Sequence, residues 1–600
     1  MHSRNSQRAV SRRWLARLIA ATVTLGLAVV LAPASPSNGD DPSPSTTSSK
    51  GGVRPYKGPI LDRKLVGRAA PDECFSELTV TPTPIRADGT CPAGSKPKVN
   101  QTYIWSGART GRFITFGTGA NVPCVSRLYM QFQPFVNRDT TCQLQYGAAA
   151  DRMGANSGDL TPSRVYRVDS RTDKMTEITP DDPLLGRIAG LRGGAGNNDV
   201  ALLVGQALKG DGTPTVVGAA VFAFEGSTGR YLGSKVLPEI GALRNGVVAS
   251  DGNLYFGARN NPAVGGSIYK WTGNKANPFQ FEKVGNIGNE AGYITEHNGR
   301  LVASGWTTAV PFTAEHPGAP STAGGPAQVW MGPKLRPGGL TEDDADDWES
   351  IFSYADYEAD PLVAQSNWMG AVQSWRGRLY VGSYEYPFTN LGTVWKEYGR
   401  PNTQVGRVAD YLGAERATSI FEISRPGKRA QKVRLLYGYK RMPVRLESGA
   451  WVLRKNLLGQ TPKFGPAGFG NRFNYYSWTW TVLKDRLYMS TFDGSGDVRA
   501  ARDIAAGVLG VSNPELLEQV APALRFTTGG YDLWRMDNPN RPAVAETLNG
   551  GGNRSQYGIR VMLPFEDKGF FYAGTAGASN LRVGVEDPGG FELWRMTPRH

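Results

Sequence analysis

Short runs in which apolar and polar residues alternate recur along most of the chain, separated by turns rich in glycine, asparagine and aspartate. Alternation with a period of two is typical of strands that bury one face, and no long stretch repeats apolar residues at helical spacing. Pairs of these runs read as seven tight hairpins, at residues 103–118, 187–205, 243–258, 290–305, 367–383, 477–491 and 558–575. A third run follows each hairpin, at residues 164–168, 220–225, 267–271, 328–331, 419–423, 532–536 and 592–596.

A fourth run follows each third run except the last, as at residues 282–284, 349–352, 431–436 and 544–547. The last unit reaches the C-terminus without an outer strand. Repeated four-stranded units are typical of propellers, which leave few exposed sheet edges. The pattern predicts an all-β, seven-bladed β-propeller whose last blade is completed by an N-terminal strand at about residues 75–80.

The first 34 residues have the pattern of an export signal. Five arginines precede an apolar run at residues 18–31, which is short for a membrane span. The segment SRRWL at residues 11–15 resembles the twin-arginine export signal, with ordinary secretory export and an uncleaved anchor as alternatives. We expect a disordered spacer at residues 35–60, a propeller at residues 70–600, and a secreted or envelope-associated monomer without a stable membrane span in its mature form.

Four cysteines occur, and none has the CxxC spacing of a metal site: Cys74, Cys91, Cys124 and Cys142. In an exported chain they predict two disulfides. Three pairings are open, and we favour Cys74 with Cys91 and Cys124 with Cys142, since each pair closes one local loop. With only four histidines in the chain, zinc is the poorer explanation.

The formal net charge is +14, and loss of the five leader arginines lowers it to about +9. A moderate positive charge is explained equally well by attraction to an anionic cell envelope and by a specific polyanion site. The sequence contains no nucleic-acid-binding motif, so nucleic acid is not an expected partner.

Long connections fall after second or fourth strands, at residues 119–163, 305–327, 384–418, 438–474 and 492–530. In a propeller these connections share the face around the central funnel. Long loops on a rigid scaffold usually carry binding function, so the funnel face is the predicted site.

Residues of the innermost strands support an anion site on that face. Arg192, with Arg187 as an alternative, takes nearly the same register as Arg244 and Arg560. Neighbouring registers hold Tyr103, Tyr293, Asn367 and Tyr476. Guanidinium and phenol groups together suit a carboxylated, sulfated or phosphorylated sugar. The alternative is that the arginines pair with acids of the blades and only stabilise the fold.

Candidates for catalysis are few, because the known nucleophile, metalloprotease and phosphate-loop motifs do not occur. Four loop acids could serve glycoside hydrolysis: Asp356, Glu358, Asp360 and Glu385. A Tyr–Arg pair could instead serve uronate elimination. Solvated loop acids are the simpler explanation. Asp493, Ser495 and Asp497 are candidate ligands of a calcium ion, although Ile504 occupies the position where a calcium-binding loop needs an acidic residue. No other cofactor is expected.

Several short motifs resemble a group of secreted bacterial seven-bladed β-propeller proteins. They are Tyr103-Ile104-Trp105, Phe116-Gly117-Thr118, Asn121 before Cys124, Tyr357-Glu358-Ala359-Asp360-Pro361, Tyr557-Gly558-Ile559-Arg560 and Leu593-Trp594-Arg595. The resemblance implies a scaffold and transfers no catalytic residues. We expect a module that binds an extracellular or envelope glycan, or a protein partner. A polysaccharide-active hydrolase or lyase is the alternative.

Overall fold

The computed structural model describes residues 58–130, 140–151, 160–209, 215–261, 264–307, 325–495, 528–577 and 580–599. Within these residues the chain is mostly β-strand, and nearly all strands pair antiparallel. The predicted β fold is confirmed in that the described residues are mostly strand, although helices are also present. The predicted export signal and most of the predicted spacer lie outside the described residues.

In this part of the chain the main strands pair antiparallel in consecutive groups of four, here numbered sheets 1 to 7, and single-residue pairings join sheets 5, 6, 7 and 1 into one 17-stranded sheet. Sheets 1 and 2 comprise Gln101–Thr110, Phe113–Ala120, Val165–Asp169 and Lys174–Glu177, then Ile188–Asn197, Val200–Leu208, Val216–Glu225 and Tyr231–Leu237. Sheets 3 and 4 comprise Ile240–Val248, Leu254–Asn260, Gly266–Trp271 and Phe281–Ile287, then Glu290–His297, Arg300–Trp306, Gln328–Lys334 and Glu349–Ser353. Sheets 5 and 6 comprise Trp368–Trp375, Arg378–Tyr384, Ile420–Ser424 and Lys432–Gly438, then Asn474–Leu483, Arg486–Asp493, Leu533–Met536 and Val544–Thr547.

Sheet 7 draws its strands from both ends of the chain. Gln556–Phe565, Phe570–Gly577 and Glu592–Pro598 pair in order, and Leu61–Arg68 then pairs antiparallel with Glu592–Pro598. The first strand of each sheet contacts the first strand of the next, and the first strand of sheet 7 contacts that of sheet 1. Each predicted hairpin and third strand coincides with strands of these sheets.

The predicted N-terminal strand at residues 75–80 is wrong, because Leu61–Arg68 takes that place. Glu73–Phe75 instead pairs with Thr83–Pro84 and Lys96–Lys98 in a separate three-stranded sheet. Cys74 is held there by its disulfide to Cys91, and residues 76–80 are exposed. The apolar residues of this segment imitate a strand pattern, but the local crosslink holds the segment away from sheet 7.

We expect removal of the N-terminal strand to destabilise the protein. A chain that begins at residue 69 loses the outer partner of Glu592–Pro598 and exposes the outer backbone edge of that strand, which keeps only its pairing with Phe570–Gly577. It also loses buried Leu61, whose side chain contributes about 2 kcal/mol. Thermal unfolding and light scattering should show a lower midpoint and self-association. A chain that begins at residue 58 is the matched control, and equal stability of the two would contradict the assigned pairing.

Helices and a small hairpin lie in the long connections. The helices are Val122–Met130, Thr140–Tyr146, Pro361–Ser366, Pro387–Tyr398 and Gln404–Ala414, with short 3-10 segments at Gly147–Asp151, Pro183–Arg187, Glu342–Asp344, Tyr354–Asp356, Ala467–Gly470, Gly550–Gly552 and Glu566–Lys568. The hairpin pairs Arg441–Arg445 with Trp451–Lys455, and Gly465–Pro466 pairs parallel with the end of Lys432–Gly438. No helix among the described residues is long and apolar enough to cross a membrane.

Both favoured disulfides are confirmed. Cys74 bonds to Cys91 and Cys124 bonds to Cys142. The second bond joins Val122–Met130 to Thr140–Tyr146, the two helices of the connection between the second and third strands of sheet 1. A crosslink of this kind stabilises mainly by restricting the unfolded chain.

A polar arrangement at the strand ends repeats in sheets 1, 6 and 7. In sheet 1, the Thr118 hydroxyl donates to the side chain of Gln101 and accepts from the backbone N–H of Arg164. Thr491 links Asn474 to Asp532 in the same way, and Thr575 links Gln556 to Glu592. The threonine therefore fixes the first and third strands at one end of each sheet, where buried backbone groups need partners.

Candidate functional site

Every first strand contains a β-bulge near its middle, where the first strand has one residue more than the second. The residues concerned, in sheets 1 to 7, are Trp105, Arg192, Arg244 with Asn245, Gly292, Gly370 with Ala371, Trp478 with Thr479, and Arg560. A bulge bends the strand and redirects the side chain of the extra residue. The bulges therefore redirect side chains at a similar position in all seven first strands, which are the strands that contact one another from sheet to sheet.

The large side chains at these bulges meet in one assembly, here called the central cluster. It comprises Arg192, Arg244 and Arg560 with the aromatic residues Tyr103, Trp105, Tyr293, Trp306, Tyr384, Tyr476, Trp478 and Tyr557. The Arg192 guanidinium carbon lies 5.6 Å from the Trp105 ring centre and 5.5 Å from that of Trp306. The Arg244 guanidinium carbon lies 4.5 Å from the same Trp306 ring.

Arg560 occupies the other side of the cluster. Its guanidinium carbon lies 5.9 Å from the ring centre of Tyr293 and 5.8 Å from that of Trp478. The rings of Tyr384 and Tyr476 are 3.7 Å apart between centres, and Tyr384 also lies edge-on to Trp306 at 5.3 Å. The arginines thus lie against aromatic faces, which stabilise a cation by the ring quadrupole.

Sheet 4 has glycine at its bulge because an indole fills the space. A Cβ placed on Gly292 would lie 2.1 Å from Nε1 of Trp306. That indole N–H donates to the backbone carbonyl of Met369 at 2.8 Å. The absent side chain at position 292 therefore allows Trp306 to enter the cluster and contact two arginines.

Several guanidinium nitrogens of this region have no hydrogen-bond partner among the described residues. They are Nε of Arg192, Nε and Nη1 of Arg244, Nε of the neighbouring Arg259, and Nη1 of Arg560. Arg244 and Arg560 are each only 2% exposed. An unpaired buried donor costs free energy, so these nitrogens are suited to an acceptor that the described residues do not supply.

Glu290 is the one carboxylate that forms an ion pair with the arginines of the central cluster in the described part of the chain, through Nη2 of Arg244. The structural alternative, that acids of the sheets neutralise each arginine, therefore applies to Arg244 alone. Arg187 lies outside the cluster, is exposed, and donates to the carbonyl of Leu208.

The charges of the cluster act on one another. Burial, together with Arg560, lowers the pKa of Arg192 to about 10, which still leaves it protonated at neutral pH. Burial and the neighbouring arginines also lower the pKa of Arg244. Burial raises the pKa of Tyr293 to about 12 although three arginines oppose the shift, and it raises the pKa of Tyr384 and Tyr476. The phenols therefore stay protonated near neutral pH and can donate hydrogen bonds to an anion.

Six of the seven predicted ligand-binding residues lie in the central cluster. Asn367 lies immediately before Trp368, whose ring stacks 5.2 Å from Trp306. Both polar atoms of the buried Asn367 side chain have no partner in the described ranges. Whether these residues bind a ligand stays a prediction.

Other members of the cluster were not predicted: Trp105, Trp306, Tyr384, Trp478, Tyr557 and the nearby Arg259 and Glu290. Trp105 has a sequence signal that Arg192 and Arg244 share, a large residue inside a first strand followed by a smaller one, as in IWSG, LRGG and LRNG, whereas Trp306, Tyr384 and Arg259 lie on second strands and lack it. This signal marks the bulge, and it breaks the alternation on which strand prediction depends.

The acids proposed for catalysis hold local structure together. Glu358 is buried and forms a two-point ion pair with Arg416, at 2.9 and 3.0 Å. Asp360 caps the helix Pro361–Ser366 and accepts from the backbone N–H of Arg445. Exposed Asp356 accepts from the backbone N–H of Ser353. Their catalytic role stays a prediction, and no contact joins them to the arginines of the central cluster in the described residues.

Glu385 follows Tyr384 of the cluster and is completely buried. Its Oε1 accepts a 2.6 Å hydrogen bond from the Tyr354 hydroxyl, while its Oε2 has no partner among the described residues. Burial raises the pKa of Glu385 to about 8, and the nearby Glu358 adds to the shift. The folded protein therefore holds this carboxyl in its neutral form at pH 7.

We expect Glu385→Gln to make the protein more stable than the wild type at alkaline pH. Between an ordinary glutamate pKa and about pH 8, the unfolded chain loses this proton and the folded chain keeps it. Wild-type stability therefore falls as pH rises through that window, by up to about 1.4 kcal/mol per pH unit. Urea unfolding from pH 5 to pH 9 should show the two proteins diverging. The exposed Glu447→Gln is the control, and parallel curves would refute a buried neutral Glu385.

The calcium candidates fall partly outside the described residues, because Asp497 is not among them. Asp493 accepts from the side chain of Asn471 and from the backbone N–H of Ser495. Burial and Asp493 raise the pKa of the neighbouring Asp532 to about 7. The described residues contain no group of three or more acidic, histidine or cysteine side chains that could hold a metal, and calcium binding stays a prediction.

No protein-family model matches the sequence, and no curated protein matches it. Among solved structures, the polysaccharide lyase Uly1 is similar over 90% of this chain and 100% of its own, at 7% identity and a TM-score of 0.38. Trypanosoma rangeli sialidase in complex with sialic acid is similar over 72% of this chain and 57% of its own, at 10% identity and a TM-score of 0.34. A luciferin-regenerating enzyme is similar over 67% of this chain and 88% of its own, at 9% identity and a TM-score of 0.31. Likenesses this weak carry no argument about activity.

Proposed function

We propose that the protein is an exported, seven-bladed β-propeller that binds an anionic glycan of the extracellular space or cell envelope in its central cluster. The sheets are the blades, their first strands surround the cluster, and the N-terminal strand Leu61–Arg68 closes the last blade. The two disulfides agree with an exported protein.

One observation carries the proposal: three arginines of three different sheets converge, and one acid is paired with them among the described residues. Keeping such charges together in a buried site is unfavourable unless a ligand of opposite charge binds. Arginine forks recognise carboxylate, sulfate and phosphate groups in two-point geometry. The tyrosines and tryptophans supply flat surfaces and hydroxyl donors for a sugar.

A matched pair of polymers tests this function. The purified mature protein is incubated with polygalacturonate and with the same polymer after chemical reduction of its carboxyl groups. We expect retention on the acidic polymer alone, weakening as salt is raised. Equal retention on both polymers, or retention by neither across a panel of acidic glycans, would contradict the proposal.

An enzyme acting on acidic polysaccharide is the second candidate, favoured by the three tyrosines that lie beside the arginines. Their raised pKa values oppose a role as the base in elimination at neutral pH. The same incubation distinguishes the two functions. Released reducing ends or unsaturated uronates would establish an enzyme, and retention without product would establish a binding module.

A further inference from the structure

The region around the central cluster has an excess of positive charge. Arg259, on the second strand of sheet 3, interacts electrostatically with both Arg192 and Arg244. Together with Arg560 these make four guanidinium groups, against which Glu290 is the one paired acid in the described residues. Four positive charges and one negative charge leave a net charge of +3, carried by Arg244 and Arg560, which are buried, and by Arg192 and Arg259, which are half-buried.

A ligand with one negative charge offsets only part of this excess. A ligand with two negative charges offsets most of it, and each uncompensated charge in a buried site is costly. We propose that the anionic unit bound in the central cluster carries two negative charges, as a phosphate monoester does, rather than the single charge of a carboxylate or a sulfate ester. This inference rests on the proposed function, whose glycan it narrows to one with doubly charged substituents.

The positions of the donors suit a compact dianion. The guanidinium groups of Arg192 and Arg244 lie against the same indole ring, that of Trp306. Unpartnered buried nitrogens occur on both, as well as on Arg259 and Arg560. A phosphate monoester offers three terminal oxygens on one phosphorus atom, so it can accept from several arginines at once without separating its charges.

Methyl phosphate and methyl sulfate test this inference without knowledge of the sugar. The two probes have nearly the same shape, and at about pH 7.5 they differ by almost one charge because the second pKa of a phosphate ester is about 6. Isothermal titration of the mature protein should show methyl phosphate binding at least about tenfold more tightly at that pH. At about pH 5 the phosphate is mostly a monoanion, and the preference should fall to about twofold or less.

Methyl sulfate keeps one charge throughout, so its own pH dependence reports any titration of the protein. Among the described residues, the titratable groups that form an ion pair or interact electrostatically with these arginines are Glu290 and the phenols of Tyr293, Tyr384 and Tyr476. Burial raises the pKa of each of these phenols, which therefore stay neutral from pH 5 to 7.5. A change confined to methyl phosphate is then a property of the ligand charge.

The variant Arg259→Gln provides a second readout. Removing one nearby charge should weaken methyl phosphate binding about twice as much, on a logarithmic scale, as methyl sulfate binding, so the preference shrinks. Equal affinity for the two probes at about pH 7.5 would overturn the dianion inference and leave anion binding intact. Failure of both probes to bind, together with failure of the acidic polymers, would overturn the proposed function itself.

Discussion

The substitution Arg560→Met should stabilise the folded protein and abolish its binding of anionic sugars. The buried guanidinium group of Arg560 has Arg192 and Arg244 as electrostatic neighbours and forms no ion pair in the described residues. An apolar side chain of similar length removes both the desolvation cost and the repulsion between like charges, which we expect to add about 1–3 kcal/mol to the free energy of unfolding. Urea unfolding measures this gain.

The same variant should lose about 2–4 kcal/mol of binding free energy for an anionic ligand, which corresponds to a loss of about 30- to 1000-fold in affinity. Arg595→Met is the matched control, because Arg595 lies in sheet 7, pairs with Asp173, and contacts Phe570 away from the cluster. This control should bind normally and gain no stability. Loss of stability in Arg560→Met would mean that the arginine holds the sheets together.

Gain of stability on losing a charged group is a mark of a site kept for function, because selection retains such groups at a cost to folding. The buried Arg416 is the informative contrast. The side chains of Arg416 and Arg560 are both almost completely buried. Arg416, however, has a carboxylate and three backbone carbonyls as hydrogen-bond acceptors. The two arginines are therefore alike in burial and differ in their acceptors, which is why we propose a binding role for Arg560 and a structural role for Arg416.

The repeat of apolar runs was sufficient to predict the seven hairpins and the third strands, because alternation and turn residues are local properties of the chain. It placed the edge strand of sheet 7 at residues 75–80 because this run, which contains Phe75, Leu78 and Val80, stands just before the first hairpin, where the other fourth strands precede the next unit. Leu61–Arg68 is held as the edge strand of sheet 7 by contacts with residues near the other end of the chain. For example, the carboxylate of Glu546 accepts hydrogen bonds from the backbone N–H groups of Ile60 and Leu61. Contacts so distant in sequence leave no local pattern.

For the site, register alignment brought together six residues that do lie in the central cluster. It missed Trp306 and Tyr384, which belong to second strands, because the alignment followed first strands alone. Trp306 enters the cluster through the space left by the missing side chain of Gly292. The sequence shows that this position is a glycine but does not show which side chain occupies the space. The loop acids were predicted from their position in loops expected on the funnel face, and position alone cannot tell a solvated carboxylate from one paired with a buried arginine, as in Glu358 with Arg416.

Arg416→Met should destabilise the protein by about 3–5 kcal/mol, since it leaves the buried Glu358 carboxylate without its counter-ion. Burial opposes the charge on Arg416, yet the Glu358 carboxylate raises the pKa of Arg416 above its ordinary value, so the guanidinium group stays charged in the folded state. Arg416 also donates to the carbonyls of Gly413 and Pro443 and thereby joins the end of the helix Gln404–Ala414 to the hairpin.

Urea unfolding of Arg416→Met, Glu358→Gln and the double variant separates the ion pair from general damage. The double variant should be less destabilised than the sum of the single variants, because each single change leaves an uncompensated partner in the interior. Arg472→Met is the control, since Arg472 pairs with Glu415 in the same region but is partly exposed, and its cost should be smaller. Additive effects, or a loss below about 1 kcal/mol in Arg416→Met, would show that the pair is replaceable and would contradict the structural role given to it here.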